Sequence, residues 1–419
     1  MEELNRAILA IESNELEVAQ LLIEKVIKNH PSNPLAVHLL GIVHIQKNDM
    51  VLAESYLTKA TKLSPNVAEC HNHLGIALMG LKRYEQARVS FSRAVNLNAN
   101  QADFHNNLGE AQNRNDLTES AIASFLKAIQ INPHSVDSWY NLANTYKKTD
   151  QIQQSLYIYS KAAKLFPHDA ELMWNFALTE LLNGDYCNGF ARYEWRFKIA
   201  KFSNYFTSLP DNYTTIKAPT GKKLLISCEQ GFGDCFQFIR FVKILKLRDN
   251  YVTVYAPQRV VKILQTVADV DEITANQPAP NSYEYYISMM SLPYALDITI
   301  NSLPSNTPYM DITSIESAEE HKTILDSSKA TIAVNWRGDP TYVEDQDRSL
   351  TVQQLHPLFN NSDLQFVTLQ NDPTEQEIEY LKRFSNIVEL GSKLDNGKDG
   401  FIETAQILQK VDLLITSDT

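Results

Sequence analysis

A small residue returns every 34 positions through the first half of this chain: Gly41, Gly75, Gly109, Ala143 and Ala177. A large apolar residue precedes it each time, as Leu40, Leu74, Leu108, Leu142 and Phe176. Twelve positions after it stands a second small column: Ala53, Ala87, Ala121, Ser155, Gly189. Four further on come Leu57, Phe91, Phe125, Tyr159 and Tyr193, and three beyond those Ala60, Ala94, Ala128 and Ala162, a column that breaks at Arg196. Proline closes most units (Pro31, Pro65, Pro133, Pro167), with Ala99 as the exception. No other feature restricts the fold as much. A period of this length means one supersecondary unit, repeated, whose apolar face is buried only by stacking on its neighbours.

The columns read as two antiparallel helices per unit. Small residues let the helix backbones approach, and the large ones fill the groove between successive pairs. Proline stops the second helix because it lacks the N–H and clashes with the preceding turn. An earlier unit fits the register through Ala7, Ala19, Ile23, Val26 and Pro31, giving about six units over residues 1–203. The pattern resembles the tetratricopeptide repeat. Such solenoids curve, with the first helices on the concave side. One position before the Leu/Phe column stand Leu39, His73, Asn107, Asn141 and Asn175. A ladder of Asn107, Asn141 and Asn175, entered through His73, offers amides that both donate and accept and so could grip a peptide backbone. The other reading is asparagine tolerated on a polar helix face. His71, His73 and His105 read as surface or packing residues scattered across columns rather than as ligands.

Composition narrows the partners. The net charge is −12 with no sustained Lys/Arg block, which argues against a nucleic-acid surface. No apolar run approaches a membrane span, and the acidic N-terminus MEELNRAILAIESNELE is unlike a signal sequence. Cys70, Cys187, Cys228 and Cys235 are scattered, as expected of buried thiols in a reduced, cytoplasmic protein.

Beyond a linker at 204–220 the pattern becomes alternating strand and helix. KKLLISC reads as a strand, EQGFGD as a loop and CFQFIRFVKILKLR as a helix. YVTVYAP, DEITA and YEYYISM read as further strands, within a first lobe at 221–310. An interlobe connection at 311–329 leads to a second series at 330–419: ATIAVNWRG, QFVTLQ, NIVEL and DLLITSD as strands between helices. Strand–helix alternation predicts parallel sheets covered on both faces, here two Rossmann-like lobes. Thr419 falls at the carboxyl end of a strand, so the second lobe is expected to be incomplete.

Ligands collect at the carboxyl ends of parallel strands. In EQGFGD, glycines allow close backbone approach, and Asp234 begins the following helix, where an N-cap is the plain alternative. In NWRGDPTYVEDQDRS, Trp336 could stack on a ring, and Arg337 and Arg348 could pair with phosphate. A solvated polar loop is the other reading. The third loop holds Asp418 and Thr419. DNGKDGFIE, at 395–403, hints at a calcium loop. Gly397 and Gln406 would occupy its third and twelfth ligand positions, so it reads as a glycine-rich turn before a helix.

The ordered blocks YEWRF, EQGFGDCFQFIRF, SMMSLP, NWRGDP with DQDRS, FVTLQ and LLITSDT resemble repeat-containing glycosyltransferases related to the bacterial heptosyltransferases, over nearly the whole chain. The resemblance implies a GT-B fold, a nucleotide-sugar co-substrate and metal-independent, inverting transfer without a cofactor. It makes Asp234 the candidate general base, with Gln230, Gly231, Gly233 and Gln237 near the substrate. It places Trp336, Arg337, Gly338, Arg348, Ser349, Gln370, Asp418 and Thr419 on the donor side. Repeats joined to such a pair of lobes are also similar to the protein O-linked N-acetylglucosamine transferases. There an asparagine ladder holds the acceptor polypeptide, the role this implies for His73, Asn107, Asn141 and Asn175. The expectation is thus a glycosyltransferase acting on Ser or Thr of a protein held by the repeats. The alternative is a non-catalytic repeat scaffold for protein–protein interaction with a degenerate or truncated transferase domain.

Overall fold

The computed structural model describes residues 2–200, 202, 217–279, 282–305, 308–315, 328–338 and 349–417. The chain divides into two compact units, Met1–Ile199 and Ala200–Thr419. Most of the expected linker, together with Arg348, Asp418 and Thr419, lies outside the described residues.

The first unit is twelve helices in six antiparallel pairs. They are α1 (Glu2–Glu12) with α2 (Leu16–Asn29), α3 (Pro34–Gln46) with α4 (Met50–Leu63), and α5 (Ala68–Gly80) with α6 (Tyr84–Leu97). Next come α7 (Ala102–Arg114) with α8 (Thr118–Ile131), α9 (Val136–Lys148) with α10 (Ile152–Leu165), and α11 (Ala170–Leu182) with α12 (Tyr186–Tyr193). The two small columns and the large column meet as their spacing predicts. A Cβ built on Gly41, Gly75 or Gly109 would lie 2.5–2.6 Å from Leu57, Phe91 or Phe125, sixteen residues on in the second helix. Where the first-helix column becomes Ala143, the partner is Tyr159, whose hydroxyl reaches outward to Asn144 Oδ1 at 2.8 Å.

Five of the six second helices, α2, α4, α6, α8 and α10, end in a non-helical residue before the proline position. His30, Ser64, Asn132 and Phe166 have φ between −137° and −124°, because proline excludes the helical conformation from the residue before it. Asn98, before Ala99, ends its helix in the same way at φ −145°. Each first helix ends in a left-handed residue, Asn14, Asn48, Lys82, Asp116, Asp150 or Gly184, with φ between 58° and 82°. This is a further column at the 34-residue spacing, and four of its six members are Asn or Asp, which tolerate that conformation.

Among its described residues the second unit holds two parallel sheets of four strands. The first comprises β1 (Lys223–Ser227), β2 (Tyr251–Tyr255), β3 (Glu272–Thr274) and β4 (Tyr285–Ser288), in the order β3-β2-β1-β4. The second comprises β5 (Ala330–Asn335), β6 (Leu364–Thr368), β7 (Ile387–Glu389) and β8 (Leu413–Thr416), in the same relative order, β7-β6-β5-β8. Leu225 pairs with Thr253 and Tyr286, and Ala333 with Val367 and Leu414. The central strands are buried on both faces, as a parallel sheet requires. Around them lie α13 (Phe232–Phe238), α14 (Val242–Lys246), α15 (Gln258–Leu264), α16 (Leu292–Ala295), α17 (His356–Phe359), α18 (Glu375–Leu381) and α19 (Ile402–Leu408). The long helix expected after EQGFGD is broken into α13, a 3-10 turn and α14, and TVQQLHPLF is a 3-10 turn leading into α17. Among the described residues no helix is long and apolar enough to cross a membrane.

Candidate functional site

In the repeat unit, first helices of neighbouring pairs touch one another, while second helices approach each other less. The first helices therefore lie on the inside of the curve, and the ladder runs along them. It is not a row of free amides. His73 Nδ1 lies 2.9 Å from His38 Nε2, Asn107 Nδ2 donates to Asn72 Oδ1 at 3.0 Å, and Asn141 Nδ2 donates to Asn106 Oδ1 at 3.1 Å. Each rung joins residues 35 apart, so the ladder is a diagonal clasp between successive repeats. Asn175 departs from the expectation. It is buried and donates to Glu171 O of its own helix at 2.9 Å, and the residue 35 positions before it is Tyr140 rather than asparagine.

Asn107 and Asn141 remain half-exposed, each with one amide hydrogen committed. Their carbonyl oxygens and second hydrogens have no partner among the described residues, which leaves both hydrogen-bonding senses open toward the groove. His71 and His105 do not scatter, contrary to the sequence reading: they share one column with Trp139. Each of the three places a ring nitrogen 2.9–3.0 Å from the carbonyl six residues earlier, Pro65, Ala99 or Pro133. They brace the turn between repeats, a packing role that the 34-residue spacing marks in the sequence.

The buried charges of this unit, Glu180 and Arg196, are each paired. Arg192 forks onto the buried Glu180 at 3.0 and 3.2 Å and lies 4.2 Å above the Phe176 ring. Burial raises the Glu180 pKa, and the Arg192 pairing only partly offsets it.

In the second unit the loop after β1 turns at Gln230, at φ 61°, and enters α13 at Gly231. Asp234 stands in the first turn of α13 rather than at the cap itself, and its Oδ2 accepts from Gly231 N at 3.0 Å. Burial raises its pKa despite that bond, so the carboxylate holds a proton more readily than an exposed one. Gly233 has open space where a Cβ would sit, and Gln237 is exposed.

Beside Asp234 lies a contact the sequence did not suggest. Phe401, at φ 67°, sets its ring edge-on to Phe232 and Phe236, at 5.5 and 5.1 Å. Gly400 N donates to Arg259 O at 2.8 Å, and a Cβ on Gly400 would lie 2.6 Å from the Arg259 side chain. The segment read as a glycine-rich turn is that turn, and it also packs the second sheet's lobe onto α13 and α15.

At the carboxyl ends of β5 and β6 the structure brings Trp336, Arg337, Gly338, Ser349 and Gln370 together, but their polar atoms bond to one another and, more often, to Asp372 and Glu377. Trp336 is 1% exposed and donates through Nε1 to Glu377 Oε1 at 2.9 Å, so its ring belongs to the core rather than to a stacking surface. Arg337 does not project as a free phosphate ligand. Its guanidinium donates to Asp372 O at 2.8 Å and lies 3.5 Å from both the Asp372 and Glu377 carboxylates. Gln370 accepts from Arg337 N at 3.0 Å and donates to Asp372 at 2.7 Å, and Gly338 N donates to Ser349 Oγ at 3.2 Å. For Glu377, burial favours the protonated form, but bonds from Thr374 and Trp336 and the charge of Arg337 together hold the pKa below its ordinary value. The open polar atoms are elsewhere: the buried hydroxyls of Thr368, the last residue of β6, and Ser417, just after β8, have no partner among the described residues.

Comparison with known proteins bears on the repeats. Tetratricopeptide repeat family models match residues 4–68, 102–135 and 124–157, and a TPR repeat model matches 77–116. No curated protein matches the chain. Similar solved structures include YrrB, described as a TPR protein with an unusual peptide-binding site (24% identity, 41% of this chain and 88% of that one, TM-score 0.37). A thermophilic TPR protein of Thermus thermophilus, TTC0263, is 20% identical over 43% of this chain and 98% of its own, with TM-score 0.37. PilF of Pseudomonas aeruginosa is 18% identical over 48% and 91%, with TM-score 0.43. The first unit thus carries tetratricopeptide repeats.

Proposed function

We propose that the tetratricopeptide repeats of this chain hold an extended polypeptide along their inner helices, and that the chain acts as a protein-interaction scaffold. The observation that carries this reading is the pair Asn107 and Asn141. Both are fixed in orientation by an inter-repeat bond and half-exposed, and both keep a donor and an acceptor open at one-repeat spacing. Backbone amides of an extended peptide present donors and acceptors in alternation, which such side chains can match without reading sequence. The test is binding of the full chain to an array of unstructured peptides. Asn107→Ala with Asn141→Ala is expected to weaken the bound set at least about tenfold, one to two hydrogen bonds' worth. Undiminished binding by that variant would sink the reading.

A second reading rests on Asp234. A half-buried carboxylate of raised pKa, in a loop at the end of a parallel strand, is suited to taking a proton from an attacking hydroxyl. With the heptosyltransferase-like blocks of the sequence, this supports metal-independent sugar transfer from a nucleotide sugar to a hydroxyl of the held polypeptide, on a GT-B pair of lobes. Calorimetry with a panel of nucleoside diphosphate sugars tests the donor. Turnover by wild type but not by Asp234→Asn is expected, and equal turnover by both would remove Asp234 as the base.

A further inference from the structure

The rungs of the ladder are not chemically alike. Two are Asn–Asn pairs, which carry no titratable group, while the rung between α3 and α5 is His38 with His73. The rings lie 5.0 Å apart between centroids, tilted by 55°, and His38 is 9% exposed. His73 Nδ1 also lies 2.8 Å from Glu69 O. A backbone carbonyl only accepts, so the single Nδ1 hydrogen belongs to His73 and is shared between Glu69 O and His38 Nε2. His38 Nε2 is then the acceptor and carries no hydrogen. A proton added there would set N–H against N–H across 2.9 Å.

We propose that His38 and His73 form a proton-sensitive clasp, closed at neutral pH and opened by acid, that loosens the first end of the repeat groove while the asparagine rungs stay shut. The surroundings favour that direction. Burial, and then the neighbouring ring, bring the His38 pKa from the ordinary 6.5 down to about 4. Burial also lowers His73, partly offset by Glu69. Glu69 on α5 is the charged side chain that bears on the pair. The other helices packed on α3 and α5, namely α1, α2, α4, α6 and α7, contribute none among the described residues. His44, also on α3, stacks on Tyr56 and lies 3.9 Å from Asp49, away from this junction. Because the folded pKa is depressed, the contribution of the pair is complete above about pH 6.5 and is lost as pH falls toward about 4.

Hydrogen-exchange mass spectrometry of the full chain tests this. Between pH 7.5 and 5.5, after correction for intrinsic exchange, peptides from 34–80 are expected to lose about tenfold in protection, the ratio set by a histidine depressed from 6.5 to about 4. Peptides from 102–148 should change little. The variant His38→Asn/His73→Asn, which installs the rung found at the next two junctions, should keep its protection. Histidine NMR titration of the wild type is a second measurement that does not depend on the variant folding. A His38 titration midpoint near its ordinary value, or equal loss of protection in wild type and a folded variant, would overturn the clasp.

Discussion

The two units of this chain bury their cores by opposite strategies. In the repeat unit the residues of the periodic columns meet partners one helix away or one repeat away: Phe91 on Gly75, Phe125 on Gly109, Asn107 on Asn72. In the second unit the decisive contacts join distant segments, such as Trp336 to Glu377, Phe401 to Phe232, and Arg259 to Gly400. A repeat solenoid spreads its stability over nearest neighbours, whereas a sheet lobe depends on a few long-range junctions. Damage should therefore stay local in the first unit and spread in the second.

The largest test of that contrast removes one buried ring from each unit. Phe125→Ala and Trp336→Ala are each expected to cost about 3–5 kcal/mol at the site. Hydrogen exchange should show loosening confined to α7–α10 for Phe125→Ala, but across β5, β6 and α18 together for Trp336→Ala. Matching spread in both units would break the comparison.

Next comes Arg192→Met. It strands the Glu180 carboxylate, whose side chain is 8% exposed, at a cost of about 3 kcal/mol at pH 7. Since burial holds the Glu180 pKa up, much of that loss should return on acidification, as the carboxyl protonates. A loss that persists unchanged at acid pH in urea titrations would contradict the assignment.

A smaller effect is expected of Gly109→Ala, about 1–3 kcal/mol from overpacking against Phe125. Adding Phe125→Leu should recover part of it. Additive losses in the double variant would mean that the two residues do not share one space.

Asp234→Asn should change least, within about 1 kcal/mol at neutral pH. The sign is the informative part. A carboxyl of raised folded pKa stabilises the fold in acid and loses that contribution as pH rises through the folded value. Wild type should therefore gain on Asp234→Asn as pH falls, and the opposite slope in paired thermal melts would show a carboxylate held as an anion.

The same contrast explains what was legible in the sequence. Periodicity fixes neighbours at constant offsets, so six helix pairs and their knob-and-gap contacts follow from the columns alone. Even so, two columns escape a reading of apolar residues: the left-handed turn residues from Asn14 to Gly184, and the bracing series His71, His105 and Trp139. Both are visible at the 34-residue spacing once polar and turn residues are aligned as well as apolar ones.

The ladder was half legible. Asn107 and Asn141 stand where expected, but their partners Asn72 and Asn106 lie in the adjacent column, and Asn175 turns back on its own helix. In the second unit the strands and their parallel pairing were readable from apolar runs. The commitment of Trp336 and Arg337 to Glu377, some forty residues away, was not, because no local pattern encodes a long-range pairing.

The central claim is that polypeptide binds on the inner helices, and one measurement addresses it directly. A photo-crosslinking residue is placed at Glu110, exposed on α7 three residues past Asn107, or at Val89, exposed on the outer α6. Each full-length chain is irradiated with a peptide selected from the array. Crosslinking at 110, absent at 89 and lost with Asn107→Ala/Asn141→Ala, is the predicted result. Equal crosslinking at both positions, or crosslinking at 89 alone, would contradict it.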